Sequence, residues 1–254
     1  GVECEPGDDV LADRLYLNDG RGEFSRAPED ALPAARVSSS AVAAADYDRD
    51  GDLDLFVGGR IIPGQYPLAA KSMLLRNDGR TFHDATAEAA SELRNTGLVT
   101  GAVWSDADND GWIDLLVTHE WGPVKLYRND QGRLVERTGS ARLADRLGWW
   151  NGIASGDVDN DGDIDYLVTN FGLNTKYHAS EVQPALLYYG DFEGQGRMRL
   201  VEAEFEDEHL FPIRGKSCST RALPFLGKRF ESYRGFAAAS LDEIYTPVCG
   251  DGIG

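Results

Sequence analysis

The chain has 254 residues, 42% of them hydrophobic, and a formal net charge of −18. That length suits one large or two small domains with a real core. Such an acid excess argues against nucleic-acid and anionic-membrane surfaces, which call for a basic footprint. No run of about 18 apolar residues occurs, so no transmembrane helix and no membrane insertion are expected. The sequence opens at Gly1 rather than Met, as a processed or truncated sequence does, so the lack of a visible leader leaves localisation open.

In chain order, the first structured phrase is Leu15-Tyr16-Leu17-Asn18-Asp19-Gly20-Arg21-Gly22-Glu23-Phe24. Two short apolar runs around Asn-Asp-Gly predict a β-hairpin, because Asn and Gly accept positive φ. A small-residue strand follows at Ser40–Ala45, and then the acidic nonapeptide Asp46-Tyr47-Asp48-Arg49-Asp50-Gly51-Asp52-Leu53-Asp54. The apolar run Leu55-Phe56-Val57 predicts a second strand. The hairpin phrase then returns as Leu74-Leu75-Arg76-Asn77-Asp78-Gly79-Arg80-Thr81-Phe82. The series repeats with a strand at Thr100–Trp104, the loop Asp106-Ala107-Asp108-Asn109-Asp110-Gly111-Trp112-Ile113-Asp114, and the hairpin Leu126–Leu134. It repeats again with a strand at Gly152–Ser155, the loop Asp157-Val158-Asp159-Asn160-Asp161-Gly162-Asp163-Ile164-Asp165, and a degenerate hairpin phrase at Leu186–Asp191. Helix-like patterning is confined to the short segments Thr86–Leu93 and Arg142–Leu147.

Each acidic loop reads D-x-D-x-D-G-x-x-D. Aspartates at positions 1, 3 and 5 of a tight turn converge on one point, where they repel unless a hard cation joins them. Ca²⁺ suits such flexible, oxygen-rich sites. Gly at position 6 permits the sharp turn. Position 7 (Asp52, Trp112, Asp163) offers its carbonyl, so a Trp is tolerated there, and the position-9 residues Asp54, Asp114 and Asp165 close the shell. An EF-hand needs Glu at position 12 between helices. Here position 12 is Val57, Val117 and Val168, inside apolar β-branched runs, so the loops join strands. Three calcium sites are expected. An acidic turn without an ion is the plain alternative for any single copy. The loops hold fourteen aspartates, and three divalent ions would still leave the chain net negative.

The first aspartates fall at 46, 106 and 157, spacings of 60 and 51 residues. Four antiparallel strands per repeat of that size predict an all-β fold built from β-propeller blades. The small residues of each first strand suit the crowded axis. Within a single propeller region, 1–254, the expected divisions are a partial blade at 1–35, blades at 36–95, 96–140 and 141–205, and a partial or degenerate blade at 206–254. The ring is expected to be partial, a piece of a longer propeller. The chain has three cysteines (Cys4, Cys218, Cys249), which allow one internal disulfide at most, and Cys218 with Cys249 is the pair expected.

The D-x-D-x-D-G-x-x-D loops and L-x-x-N-D-G phrases resemble the FG-GAP/VCBS-type repeat family, over roughly Leu15–Gly190. Asn170–Tyr177 is similar to a phrase in bacterial repeat proteins that carry an ASPIC/UnbV-like region. The resemblance implies a propeller, calcium, and an extracellular, cell-surface or periplasmic location.

The loops at the end of the blades away from the acidic turns differ from repeat to repeat. They supply Arg60 and Tyr66, then His119 and Trp121, then Asn170, Phe171, Asn174 and Lys176. Aromatics mixed with amides and charges suit a protein or glycan ligand. Trp104 and Trp149 are expected to fill gaps between blades. The expected function is calcium-stabilised binding or scaffolding without catalysis. The alternative is a lyase-like polysaccharide-active enzyme, with Arg60 and Tyr66 as its candidate pair. The four histidines fall in no nucleophile or metal motif.

Overall fold

The computed structural model describes residues 4–172 and 175–245. The chain divides into two compact units, 1–171 and 172–254. The protein is mostly strand, arranged in several antiparallel sheets with few helices.

In the first unit, β1 (Tyr16–Asn18) and β2 (Phe24–Arg26) form a two-stranded hairpin around Asn-Asp-Gly. Two four-stranded meanders follow. The first is β3 (Ser39–Ala45), β4 (Asp54–Gly59), β5 (Met73–Asn77) and β6 (Phe82–Asp84). Helix α1 (Thr86–Ala89) and a 3-10 turn at Ser91–Asn95 lead out of it. The second meander begins with β7 (Leu98–Ser105) and β8 (Asp114–Glu120). After the short β9 (Gly122–Pro123), it is completed by β10 (Lys125–Asn129) and β11 (Leu134–Glu136). Arg142–Leu147, read as helix-like, instead forms turns up to Arg146 and enters β12 (Leu147–Gly148), which pairs with β9. The third repeat gives β13 (Trp150–Gly156) and β14 (Asp165–Asn170), a two-stranded sheet.

The first strands β3, β7 and β13 are rich in Ala, Gly and Ser for a steric reason. A Cβ on Gly101 of β7 would lie 2.8 Å from Thr118 Oγ1 and 3.2 Å from the Gly152 Cα of β13, so a side chain there would push neighbouring blades apart. The main core lies between the two meanders, where Tyr47, Phe56, Leu74, Val99, Leu115 and Tyr127 are fully buried. Trp104 spans the same seam. It stacks on Tyr47 at 6.4 Å and donates Nε1–H to Ala43 O at 3.1 Å, so it does fill an inter-blade gap.

In the second unit, β15 (Leu186–Gly190), β16 (Arg199–Glu206) and β17 (His209–Pro212) form a three-stranded sheet. Four short helices follow: α2 (Lys216–Ala222), α3 (Phe225–Arg229), α4 (Tyr233–Ala237) and α5 (Leu241–Tyr245). The segment 206–254, read as a partial or degenerate blade, therefore carries helices that the sequence periodicity did not signal. Each has five to seven residues, too few for a 3.6-residue repeat to stand out. They are held by burying Leu223, Leu226, Phe236 and Ile244 against Val201 and Ala203. Cys218 is a free, exposed thiol, and Cys249, its expected partner, lies outside the described residues.

Candidate metal centres and a candidate recognition face

Each acidic loop is pinned by its own aspartates. Asp46 accepts the N–H groups of Asp50 and Gly51 at 3.1 Å each. Asp106 does the same for Asp110 and Gly111, and Asp157 for Asp161 and Gly162. The position-5 carboxylates of Asp50, Asp110 and Asp161 accept the N–H of position 7 at 2.9, 2.8 and 2.9 Å. The turn forces position 4 into the left-handed region, with φ of 62° at Arg49, 56° at Asn109 and 62° at Asn160.

Three carboxylate groups result, each with its oxygens within 4.8 Å of one another: Asp46, Asp48 and Asp50; Asp106, Asp108 and Asp114; and Asp157, Asp159 and Asp165. Asp48 Oδ1 is buried with no hydrogen-bond partner. An orphaned carboxylate oxygen among like charges is the environment that a hard cation relieves. Burial and then the neighbouring Asp50 charge push the Asp48 carboxyl up, and burial pushes Asp54 up to about 6. The donor set fits an oxygen-seeking divalent ion. In the second loop, Arg128 supplies positive charge, 2.6 Å from Asp108 and 2.9 Å from Asp110.

Position 9 has a second role. Asp54 accepts the Tyr47 N–H at 3.3 Å and the Asn77 N–H at 2.8 Å, tying the loop to the β5–β6 hairpin. Asp114 repeats this with Ala107 at 3.0 Å and Asn129 at 2.7 Å. Asp165 accepts Val158 N–H at 3.1 Å. The hairpin asparagine, readable in sequence only as a turn former, also links repeats. Buried Asn129 donates to Ile113 O at 3.0 Å and, across the seam, to Tyr47 O at 2.8 Å.

Adjacent loops touch in series. Arg49 bonds Gly111 O and lies 4.1 Å over the Trp112 ring. Asn109 donates to Asp163 Oδ1 at 2.7 Å. Position 4 of one loop thus meets positions 6 and 7 of the next. The side chains of Trp112 and Asp163 are used between loops, which leaves their carbonyls for the role expected of position 7.

At the opposite end of the blades, Glu120 closes β8. Its buried carboxylate pairs with Arg60 and accepts the Tyr66 hydroxyl at 2.5 Å. Trp121 Nε1–H donates to Tyr66 Oη at 2.6 Å. Trp121 has φ of 57°, uncommon for a bulky side chain and a form of strain that gathers at functional sites. Trp149 lies 5.4 Å from Trp121 and 4.8 Å from Phe171, between centroids, so three aromatic rings run in series. Trp149, expected as inter-blade packing, is the middle ring. Asn170 ends β14 opposite Trp150. Glu120, from the same loop as Trp121 and read with it on this face, and Trp149, read as packing near it, complete this cluster.

His119 is placed elsewhere. Its ring is buried, with Nδ1 2.9 Å from Pro123 O and Nε2 2.9 Å from Thr96 Oγ1. The carbonyl can only accept, so Nδ1 carries the proton and Nε2 accepts from Thr96. Burial lowers its pKa to about 4. Lys176 lies in the second unit, 2.8 Å from Glu202, which also accepts Tyr177 Oη at 2.6 Å and Arg214 Nε at 3.1 Å. Asn174 lies outside the described residues. Among the described residues no helix is long and apolar enough to cross a membrane.

The family model for the FG-GAP-like repeat matches residues 7–57 and 106–168. No curated protein matches the sequence significantly. Among solved structures, the chain is similar to the Vibrio cholerae biofilm matrix protein Bap1, with 16% identity and a TM-score of 0.29. That likeness covers 67% of this chain and 29% of the other, so the chain spans less than a third of that protein's length.

Proposed function

Starting from a chain that carries FG-GAP-like repeats, we propose a calcium-stabilised, non-catalytic binding and scaffolding protein that works outside the cytoplasm. The observation that carries this reading is the threefold acidic cluster, with the unpartnered Asp48 Oδ1 in its first copy. Calcium bound at each loop neutralises the carboxylates and fixes the turn between the first two strands of a blade. The residues proposed to hold it are Asp46, Asp48, Asp50 and Asp54; Asp106, Asp108, Asp110 and Asp114; and Asp157, Asp159, Asp161 and Asp165. The carbonyls of Asp52, Trp112 and Asp163 complete the sets.

Recognition falls to the opposite end, where Trp121, Trp149 and Phe171 form a stacking surface beside Arg60, Tyr66 and Asn170. Consecutive rings edged by polar groups suit a glycan, whose sugar faces stack on aromatics while its hydroxyls bond at the rim. Asn174 and Lys176 stay ligand-contact candidates on sequence grounds alone, Lys176 being paired with Glu202 inside the second unit. His119 supports this face from the core. The double variant Trp121→Ala with Phe171→Ala should abolish retention on a glycan array while calcium binding persists. Retention by the double variant, or selective capture of a protein ligand, would refute the glycan reading.

The lyase-like alternative has a weaker footing. Arg60 and Tyr66 do converge, but on Glu120. Burial and the Glu120 hydrogen bond push the Tyr66 phenol upward, opposite to the shift a tyrosine base needs at neutral pH.

A further inference from the structure

A fourth loop of the same construction lies within the second unit. Leu186–Asp191 reads in sequence as a degenerate hairpin phrase, but β15 and β16 do not pair as a hairpin does. In the β5–β6 hairpin the last paired residues, Asn77 and Phe82, are five positions apart. Gly190 and Arg199 end the β15–β16 pairing nine positions apart. Nine is also the spacing across each of the three acidic loops, where Ala45 faces Asp54, Ser105 faces Asp114 and Gly156 faces Asp165. Asp191-Phe192-Glu193-Gly194-Gln195-Gly196-Arg197-Met198-Arg199 therefore fills loop positions 1 to 9.

Its backbone follows the acidic loops closely. Asp191 Oδ2 accepts the position-6 N–H of Gly196, as Asp46, Asp106 and Asp157 do for Gly51, Gly111 and Gly162. Position 4 is left-handed at Gly194, with φ of 65°, as it is at Arg49, Asn109 and Asn160. Position 6 is left-handed at Gly196, with φ of 75°, as it is at Gly51, Gly111 and Gly162.

The charge is what differs. The three acidic loops carry formal charges of −4, −4 and −5, whereas this one sets Asp191 and Glu193 against Arg197 and Arg199, for a charge of zero. The largest change falls at position 9. Asp54, Asp114 and Asp165 each accept the N–H of position 2 there. Asp114 and Asp165 also bring an oxygen within 4.8 Å of the carboxylates at positions 1 and 3. Arg199 opens β16 at that same place. A guanidinium accepts no hydrogen bond. It also carries a positive charge to the position from which a carboxylate would face an ion. Arg199 Nε is buried without a hydrogen-bond partner, so the side chain leaves the strand against protein. The carboxylate repulsion that a cation relieves in the other loops is already balanced in this one.

Resting on the calcium reading of the other three loops, we propose that the loop 191–199 folds without calcium and that Arg199 is the residue that keeps the ion out. Chelation then acts on the acidic turns of the first unit and leaves the β15–β16 turn standing.

Calcium bound per chain, counted on the full chain by titration calorimetry and elemental analysis, supplies the test. Arg199→Asp restores the position-9 carboxylate and removes an unpaired buried donor, so it should bind one calcium more than the wild type. Adding Asp191→Asn to that variant should abolish the gain, which places the new ion in this loop. Asp191→Asn alone should leave the wild-type count unchanged. The gain is scored against the wild type. A wild type without calcium would therefore refute the reading of the first three loops and leave this comparison intact. No added ion in Arg199→Asp, or a gain that survives Asp191→Asn, would overturn the proposal. So would the loss of an ion from the wild type on Asp191→Asn, a comparison that stands even if Arg199→Asp fails to fold.

Discussion

At the level of single residues, the acidic loops divide labour by position. Asp157 and Asp161 turn carboxylates to the loop's own amides and, in the proposed calcium site, would also hold the ion, whereas Asp163 faces Asn109 of the neighbouring loop. Asp157→Ala and Asp161→Ala should each lose one calcium per chain, and Asp163→Ala should keep it, as counted by titration calorimetry. Equal loss in all three would contradict the assignment of position 7 to its carbonyl. Arg128 allows a second test. Its guanidinium offsets Asp108 and Asp110 when no ion does so. Arg128→Ala should therefore lower the melting temperature of the chelated protein and barely change that of the calcium-loaded protein. An exposed ion pair of this kind is screened by solvent and contributes little, so the shift will be small. His119 gives a pH dependence. Its folded pKa of about 4 lies below the ordinary 6.5, so the unfolded chain takes up the proton first as pH falls. The stability that depends on its neutral form is intact above pH 6.5 and is lost down to pH 4, at up to about 1.4 kcal/mol per pH unit. His119→Gln should flatten that slope in urea melts, and an unchanged slope would place the titration elsewhere.

At the level of elements, a blade is closed by its hairpin asparagine and its position-9 aspartate acting together. Asn129 is wholly buried and its amide serves two carbonyls, one in its own loop and one in the preceding repeat, whereas among the described residues the Asn77 amide serves Leu53 O alone. Asn129→Ala leaves buried carbonyls unpaired and should cost on the order of 3 kcal/mol, against about 1 for Asn77→Ala. Equal losses in denaturant melts would deny the link across the seam. The loops, the hairpins and the small-residue strands were legible in the sequence because each is encoded locally. Asp and Gly at fixed offsets dictate the turn, and Asn-Asp-Gly dictates the hairpin. The fate of His119 was not legible, because its burial depends on Thr96 and Pro123 folding onto it from other elements. The row Trp121–Trp149–Phe171 was hidden for a similar reason, since two repeats must dock before the three rings meet. The helices between 216 and 245 were hidden by their brevity.

At the level of the whole molecule, the repeats are joined by a row of acidic loops whose position-4 side chains reach into the next loop. Fourteen aspartates lie along that row in a chain of net charge −18, and without cations their repulsion adds up from loop to loop. Ions bound only by the folded state stabilise it by mass action, about 2.7 kcal/mol per site at a hundredfold excess over the dissociation constant. The most direct measurement is the melting temperature of the purified protein after EDTA treatment and again after calcium is restored, with metal content determined on the same samples. Three calcium ions per chain, a melting temperature that falls by many degrees on chelation, and full recovery with calcium are predicted. An unchanged melting temperature together with no bound metal would contradict the calcium-stabilised reading.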